Sequence, residues 1–270
     1  MSDFLQTMAS HSAERAAAVS SSFSSADFDK PVVPLTLGKF DVIAEIKDRS
    51  PAEGKLKTTN SYGDSDRNSR AKSYAAGGAA AISVLTEPSR FDGDLTHLEA
   101  VAAAVPGTPV MRKDFLVEPV QILEARKAGA SGVLLIATML SDAKLREMLD
   151  RAWEHEIFVL LESFDEDDLQ RSTALLDNPV DHDKADTGQL LVGVNTRNLR
   201  TLEVDSERLR NLAPLLPAAR CVAESGLLVP ADAARVAGWG YALALVGTAL
   251  MRSDDPAALV AAMRAAGAAA

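Results

Sequence analysis

Cysteine is almost absent from this chain. Cys221 stands alone among 270 residues, so no disulfide can close within the chain and a reducing, cytoplasmic setting is expected. It sits in the apolar run Arg220-Cys221-Val222-Ala223, where a small buried strand residue is a simpler reading than a nucleophile. Long hydrophobic runs are also missing. No stretch reaches the roughly 18 apolar residues that cross a bilayer, and the first residues lack the basic start and apolar segment of a secretory signal. The four histidines, His11, His97, His155 and His182, show no ligand spacing, so no metal site is expected. Positive charge is in deficit, with 28 Lys and Arg against 38 Asp and Glu and a net charge of −10. That balance excludes a general nucleic-acid binder and argues against anchoring on an anionic membrane. A local positive pocket for an anionic substrate remains compatible with it.

What is present is a regular alternation. The Ala- and Ser-rich start places Phe4, Leu5, Met8, Ala16 and Val19 at helical spacing, which predicts a helix over Asp3–Val19 followed by a Ser-rich linker. Beyond it, short aliphatic runs alternate with longer amphipathic segments. Eight runs read as strands: Asp41–Ile46, Ala79–Leu85, Thr108–Arg112, Gly132–Ile136, Phe158–Leu161, Leu190–Val194, Arg220–Ala223 and Ala242–Val246. Helices are predicted over Leu95–Val105, Pro119–Ala128, Asp142–Glu154, Glu166–Leu176, Ser206–Leu215, Pro230–Ala237 and Pro256–Ala266. Ser141, Asp165 and Asp205 suit N-caps, and Pro119, Pro230 and Pro256 suit first turns. Gly77-Gly78 suits the end of a first barrel helix beginning near Asp66. Eight βα units in one chain of this length predict a single-domain (β/α)₈ barrel, a TIM barrel with an extra N-terminal helix, with residues 1–39 as extension and 40–270 as barrel. A doubly wound eight-stranded sheet is the alternative, but no G-x-G-x-x-G follows the first strand. The polar segment Thr58–Arg70 reads as a mobile loop after strand 1, a lid over the mouth where barrels carry their sites.

Polar residues gather at the ends of the predicted strands. Val42-Ile43-Ala44-Glu45-Ile46-Lys47 opens as a buried strand yet carries Glu45 and Lys47 on one face, two residues apart. Strand 3 runs into Arg112-Lys113-Asp114-Phe115, strand 5 into Glu162-Ser163, and strand 6 into Asn195-Thr196-Arg197. Strand 7 ends in Glu224-Ser225-Gly226 and strand 8 in Gly247-Thr248. Charge has little structural reason to collect there, mostly from odd-numbered strands. Ser225, Gly226, Gly247 and Thr248 can offer backbone N–H groups and hydroxyls to a phosphate, with Lys47 completing the cradle from across the mouth. Lys113 and Glu162 form an acid–base pair, the lysine expected with a lowered pKa and the carboxyl with a raised one. Asn195 and Arg197 can converge on a substrate carboxylate or hydroxyl.

These motifs together resemble the indole-3-glycerol-phosphate synthase family over about Phe40 to Met251. The resemblance implies closure of the indole ring from 1-(2-carboxyphenylamino)-1-deoxyribulose 5-phosphate, with loss of CO₂ and water and without a cofactor. It implies Lys113 as general acid, Glu45 and Glu162 as carboxylates for proton removal and dehydration, and Lys47 in chemistry and phosphate binding. Asn195 is implied among the catalytic residues. It further implies Ser50, Phe91, Phe115, Leu134 and Arg197 around the substrate, the last on its carboxylate or its phosphate. The partner is then a small phosphosugar, and the chain a monomer open to association with other tryptophan-pathway enzymes. Ala52 stands where the family usually has a second serine, and Ser163-Phe164 where Val-His is common. Two other readings are a paralogous phosphosugar barrel, such as a phosphoribosylanthranilate isomerase, and a barrel that serves only as a complex partner. The isomerase would use Cys or Asp acid–base groups that do not match Glu45, Lys113 and Glu162.

Overall fold

The computed structural model describes residues 3–19, 22–50, 54–55, 64–199 and 204–270. Eight parallel strands close into a barrel: β1 Asp41–Ile46, β2 Ala81–Leu85, β3 Val110–Lys113, β4 Gly132–Ile136, β5 Phe158–Ser163, β6 Leu190–Asn195, β7 Arg220–Glu224 and β8 Leu243–Val246. Closure sets β1 between β2 and β8, with Ile43 opposite both Ala81 and Leu245. The doubly wound alternative is thereby excluded.

The strands are apolar almost without a break because both of their faces are covered. Successive side chains point to opposite faces. Ile43, Met111, Leu160 and Val222, from β1, β3, β5 and β7, belong to the cluster that fills the barrel. Their neighbours Val42, Val110, Val159 and Cys221 belong to the second cluster, between barrel and helices. Each fully buried aliphatic side chain contributes on the order of 1.5–3 kcal/mol, so a one-residue slip in register would expose most of this core. Cys221 is one of those outward residues, and burial pushes its thiol pKa up to about 12. It is structural.

The helices sit where their caps direct them. Ser141 Oγ accepts from the Lys144 N–H, and Asp165 Oδ1 from the Asp168 N–H. Pro230 and Pro256 open their helices. Asp205 behaves otherwise: its carboxylate accepts from the Glu207 N–H in a turn, and the helix begins at Arg208 with Glu207 as N-cap. Short polar elements add to the predicted set, notably the helices Pro88–Phe91, Pro179–Asp186 and Thr248–Arg252 and the pairing of Arg49–Ser50 with Gly54–Lys55.

The expected mobile loop over Thr58–Arg70 needs correction. Asp64–Ala76 is a helix, so the last part of that segment is regular structure. Arg67 is buried and paired with Asp48, and Arg70 donates to the Leu250 carbonyl at 2.7 Å. Polar anchors hold what apolar ones do not. Residues 58–63, the rest of the proposed lid, lie outside the described residues.

The N-terminal helix, Asp3–Ala18, packs on the mouth of the barrel. Leu5, Met8, Ser12 and Ala16 are its buried face, a helical spacing. Ser12 is tied to Gln121, and Arg15 to Asp114. Among the described residues no helix is long and apolar enough to cross a membrane.

Candidate active site

In β1, β3, β5 and β7 the alternation that buries Ile43, Met111, Leu160 and Val222 carries on to the strand ends. Two residues further along it places Glu45, Lys113, Glu162 and Glu224 inside the mouth. Barrels fill such layers from alternate strands, commonly with branched aliphatics. Here the uppermost layer is four ionisable groups, all lining a cavity of about 570 Å³.

Lys113 Nζ lies 3.3 Å from Glu162 Oε2 and 3.4 Å from Glu224 Oε2. Lys47 Nζ lies 2.8 Å from Glu45 Oε1. The three ion pairs line one cavity, and Lys113 also feels Glu45. Burial alone would push the Lys113 pKa down, but Glu162, Glu224 and Glu45 more than offset it and hold the pKa above its ordinary value. This overturns the expectation of a lysine ready to lose its proton; the group stays an ammonium. Burial would likewise raise Glu45, yet Lys47 and Lys113 bring its carboxyl below the usual range. The carboxyl driven well above that range is Glu224, through burial and then the neighbouring Glu162. Oε1 of Glu162 and Oε1 of Glu224 are buried and accept no hydrogen bond from a donor of the fold, and a proton kept on Glu224 is shared with Glu162. A buried carboxylate oxygen short of donors is costly, so this layer is not arranged for its own stability.

The walls divide the cavity by chemistry. One side is apolar, with Phe91, Phe115, Leu134 and Ile136. Phe115 stands 6.1 Å from Phe91 and 5.9 Å, edge to face, from Phe4 of the N-terminal helix. A flat aromatic ring fits such a slot. The other side is built from the ends of β7 and β8. Ser225 and Gly226 both take positive φ, 67° and 76°, turning the chain sharply off β7. Such a turn is easy for glycine and costs serine about 1–2 kcal/mol. Gly247 is the N-cap of the short helix Thr248–Arg252, which begins at the cavity. Its φ is negative, so conformation does not require glycine there. A Cβ at Gly247 would collide with Glu45 Oε1 and lie 2.9 Å from Lys47 Nζ. Lys47 is therefore not across the mouth from this cradle, as expected, but beside it, because closure makes β1 the neighbour of β8.

Asn195 and Arg197 line the same cavity. Asn195 Oδ1 accepts from the Arg197 N–H at 2.9 Å. Arg208 fixes this turn by donating to the Asn195 and Thr196 carbonyls.

The structure thus brings together Glu45, Lys47, Phe91, Lys113, Phe115, Leu134, Glu162, Asn195, Arg197, Ser225, Gly226, Gly247 and Thr248 on one cavity. The side chain of Ser50 lies outside the described residues. Sequence reasoning gave no role to Glu224 or Phe4. The signal for Glu224 was in the chain: it follows Val222 by two residues, as Glu162 follows Leu160. Among the described residues no group of three His, Cys, Asp or Glu side chains could hold a metal ion.

Comparisons with known proteins agree with one another. A family model described as indole-3-glycerol phosphate synthase matches residues 5–263. The indole-3-glycerol phosphate synthase of Nocardioides sp. (strain ATCC BAA-499 / JS614) is 46% identical over 235 residues, covering 86% of this chain and 84% of that protein. That of Parafrankia sp. (strain EAN1pec) is 44% identical over 224 residues, covering 83% and 77%. Among solved structures, 3-hexulose-6-phosphate synthase from Salmonella typhimurium aligns with a TM-score of 0.61 at 15% identity, covering 84% of this chain and 98% of that one. At that identity the likeness concerns the fold alone. With a match along nearly its whole length, the chain belongs to the indole-3-glycerol phosphate synthase family.

Proposed function

We propose that this chain converts 1-(2-carboxyphenylamino)-1-deoxyribulose 5-phosphate into indole-3-glycerol phosphate, CO₂ and water. One observation carries the reading: an ammonium held between two buried carboxyls, each with an oxygen that accepts from no donor of the fold, lies between an aromatic slot and an anion cradle. The slot of Phe91, Phe115 and Leu134 suits the carboxyphenyl ring. The N–H groups and hydroxyls at Ser225, Gly226, Gly247 and Thr248, with Lys47 beside them, suit the phosphate. Asn195 and Arg197 reach the middle of the substrate and its carboxylate.

Ring closure joins the ring carbon that bears the carboxylate to the ketone carbon of the sugar part. The ketone oxygen gains negative charge as this bond forms, and Lys113, kept protonated by its carboxyl neighbours, gives it a proton. CO₂ then leaves, and the electron pair of the broken bond restores the aromatic ring. The new hydroxyl departs as water after accepting a second proton, while a proton leaves the adjacent methylene carbon. Glu162 and Glu45 are the bases in reach of that methylene. Glu224, driven towards its protonated form beside Lys113 and Glu162, supplies a proton to the same network. One carbon–carbon bond forms, one breaks with CO₂ and one carbon–oxygen bond breaks with water, and each of these events is coupled to a proton transfer that these side chains can perform.

We read the chain as one cytoplasmic unit working as a monomer on a small phosphosugar and associating with other enzymes of tryptophan biosynthesis. The test is direct. Purified protein mixed with the carboxyphenylamino substrate should develop indole fluorescence and release one CO₂ per indole. A folded protein that leaves this substrate unchanged would overturn the reading.

A further inference from the structure

Gly193 is an inward position of β6, between Leu191 in the barrel core and Asn195 at the mouth. Its backbone is ordinary strand, in register with Glu162 of β5 and Val222 of β7, and it has no positive φ. Nothing in its conformation calls for glycine, and glycine weakens a strand. The reason is spatial. A Cβ at Gly193 would collide with Glu224 Oε1 and lie 3.2 Å from Glu224 Cδ. The third of the three nearest atoms is Leu160 Cδ1 at 3.1 Å, the free end of a side chain that can give way. Glu224 therefore leans from β7 across the bare backbone of β6, and from there reaches Lys113. The device recurs in this barrel: Phe158 of β5 fills the space over Gly132 of β4 in the same way. There hydrocarbon fills the gap, and here a carboxyl does.

We infer that Gly193 is a positioning residue for the lyase reaction, its missing side chain being the socket that seats the Glu224 carboxyl against Lys113 and Glu162. The inference rests on the lyase reading for its kinetic consequence, but its structural half stands without it. A methyl group at position 193 would move that carboxyl and take from Lys113 one of its two close partners.

The experiment is a double-mutant cycle with two readouts. Gly193→Ala should lower kcat roughly 10²-fold, the scale of an ångström-sized misplacement, and leave KM within about threefold. It should also lower the melting temperature. In a Glu224→Ala background, where the colliding carboxyl is gone, adding Gly193→Ala should change neither kcat nor the melting temperature. Equal losses in both backgrounds, or no loss in the native one, would overturn the inference. If Gly193→Ala alone does not fold, folding of the double variant supports the socket and its failure to fold overturns it. The melting arm needs no substrate. It therefore separates failure of the socket from failure of the lyase reading.

Discussion

Three consecutive residues, Arg112 and Lys113 at the end of β3 and Asp114 just beyond it, lead to two very different buried charge clusters. Alternation sends Lys113 into the barrel and Arg112 outward, while Asp114, at the edge of the same cavity, turns its carboxylate to Arg112, Thr86 and Arg15. In the outward cluster both oxygens of Asp114 are used. Oδ1 accepts from Arg15 and from the Phe115 N–H at 2.7 and 2.8 Å, and Oδ2 from Thr86 and Arg112 at 2.8 and 3.3 Å. Arg112 also holds Glu124 at 2.6 Å and the Gln121 carbonyl at 3.2 Å. In the inward cluster Glu162 and Glu224 each keep an oxygen that accepts from no donor of the fold, and Glu224 is pushed towards protonation. Both clusters pay the desolvation of charge. The outward one recovers it at both oxygens of its central carboxylate, the inward one only in part, through Lys113 and Lys47. Satisfied buried charge fastens the N-terminal helix to the barrel; partly satisfied buried charge is held ready for a substrate.

The largest effect should follow from removing the centre of the inward cluster. Lys113→Ala is expected to lower kcat by roughly 10²–10⁴-fold, the usual scale of a lost general acid, with the circular-dichroism spectrum of the native fold. Activity above about half of the native value would remove Lys113 from the mechanism and blur the contrast between the clusters. The outward cluster should answer in stability instead. Asp114→Ala leaves Arg112 with Glu124 and Arg15 with Glu87 at 3.8 Å, but it removes the acceptor of four hydrogen bonds, two of them from guanidinium groups, a loss of about 3 kcal/mol. On a chain of this size that is a fall on the order of 10 °C in melting temperature. An unchanged melting curve would show that the hydrogen bonds around Asp114 are not structural.

How much of this was legible in the chain follows from how local each feature is. β1 and β4 fall on their predicted limits because aliphatic runs between polar breaks depend on neighbours in sequence. The charged strand ends could be read by the same alternation. Distances across the barrel could not. That Lys113 is raised rather than lowered depends on Glu162 and Glu224, 49 and 111 residues further along the chain. The role of Gly193 depends on a side chain of the adjacent strand. The helix expected from near Asp66 begins at Asp64, yet its first two turns also read as loop, because Arg67 and Arg70 are anchored by Asp48 and the Leu250 carbonyl and carry no apolar signal. Short helices such as Pro179–Asp186 lack the length over which periodicity shows.

Gly247 sharpens the comparison from the side of the phosphate cradle. A side chain there meets the Glu45–Lys47 pair before it meets any ligand. Gly247→Ala is therefore expected to lower kcat on the order of tenfold, the misplacement reaching the chemistry itself. A rise in KM with kcat unchanged would return Gly247 to phosphate binding alone. Inorganic phosphate at tens of millimolar, roughly the range for a lone anion at a helix N-terminus, should inhibit competitively in the native protein.

The central claim is that the inward charges serve the reaction at the expense of the fold, and Glu224→Gln tests it most directly. A carboxyl whose folded pKa is raised contributes stability that is complete below its unfolded pKa, near about 4.3, and is lost as pH rises towards the folded value. Glutamine has no such titration. Melting curves followed upward in pH from the unfolded pKa should show the native protein losing ground to the variant. At the upper end the variant should melt at or above the native temperature, while its turnover is lower by roughly tenfold or more. A variant that melts lower at high pH and turns over at the native rate would contradict the account.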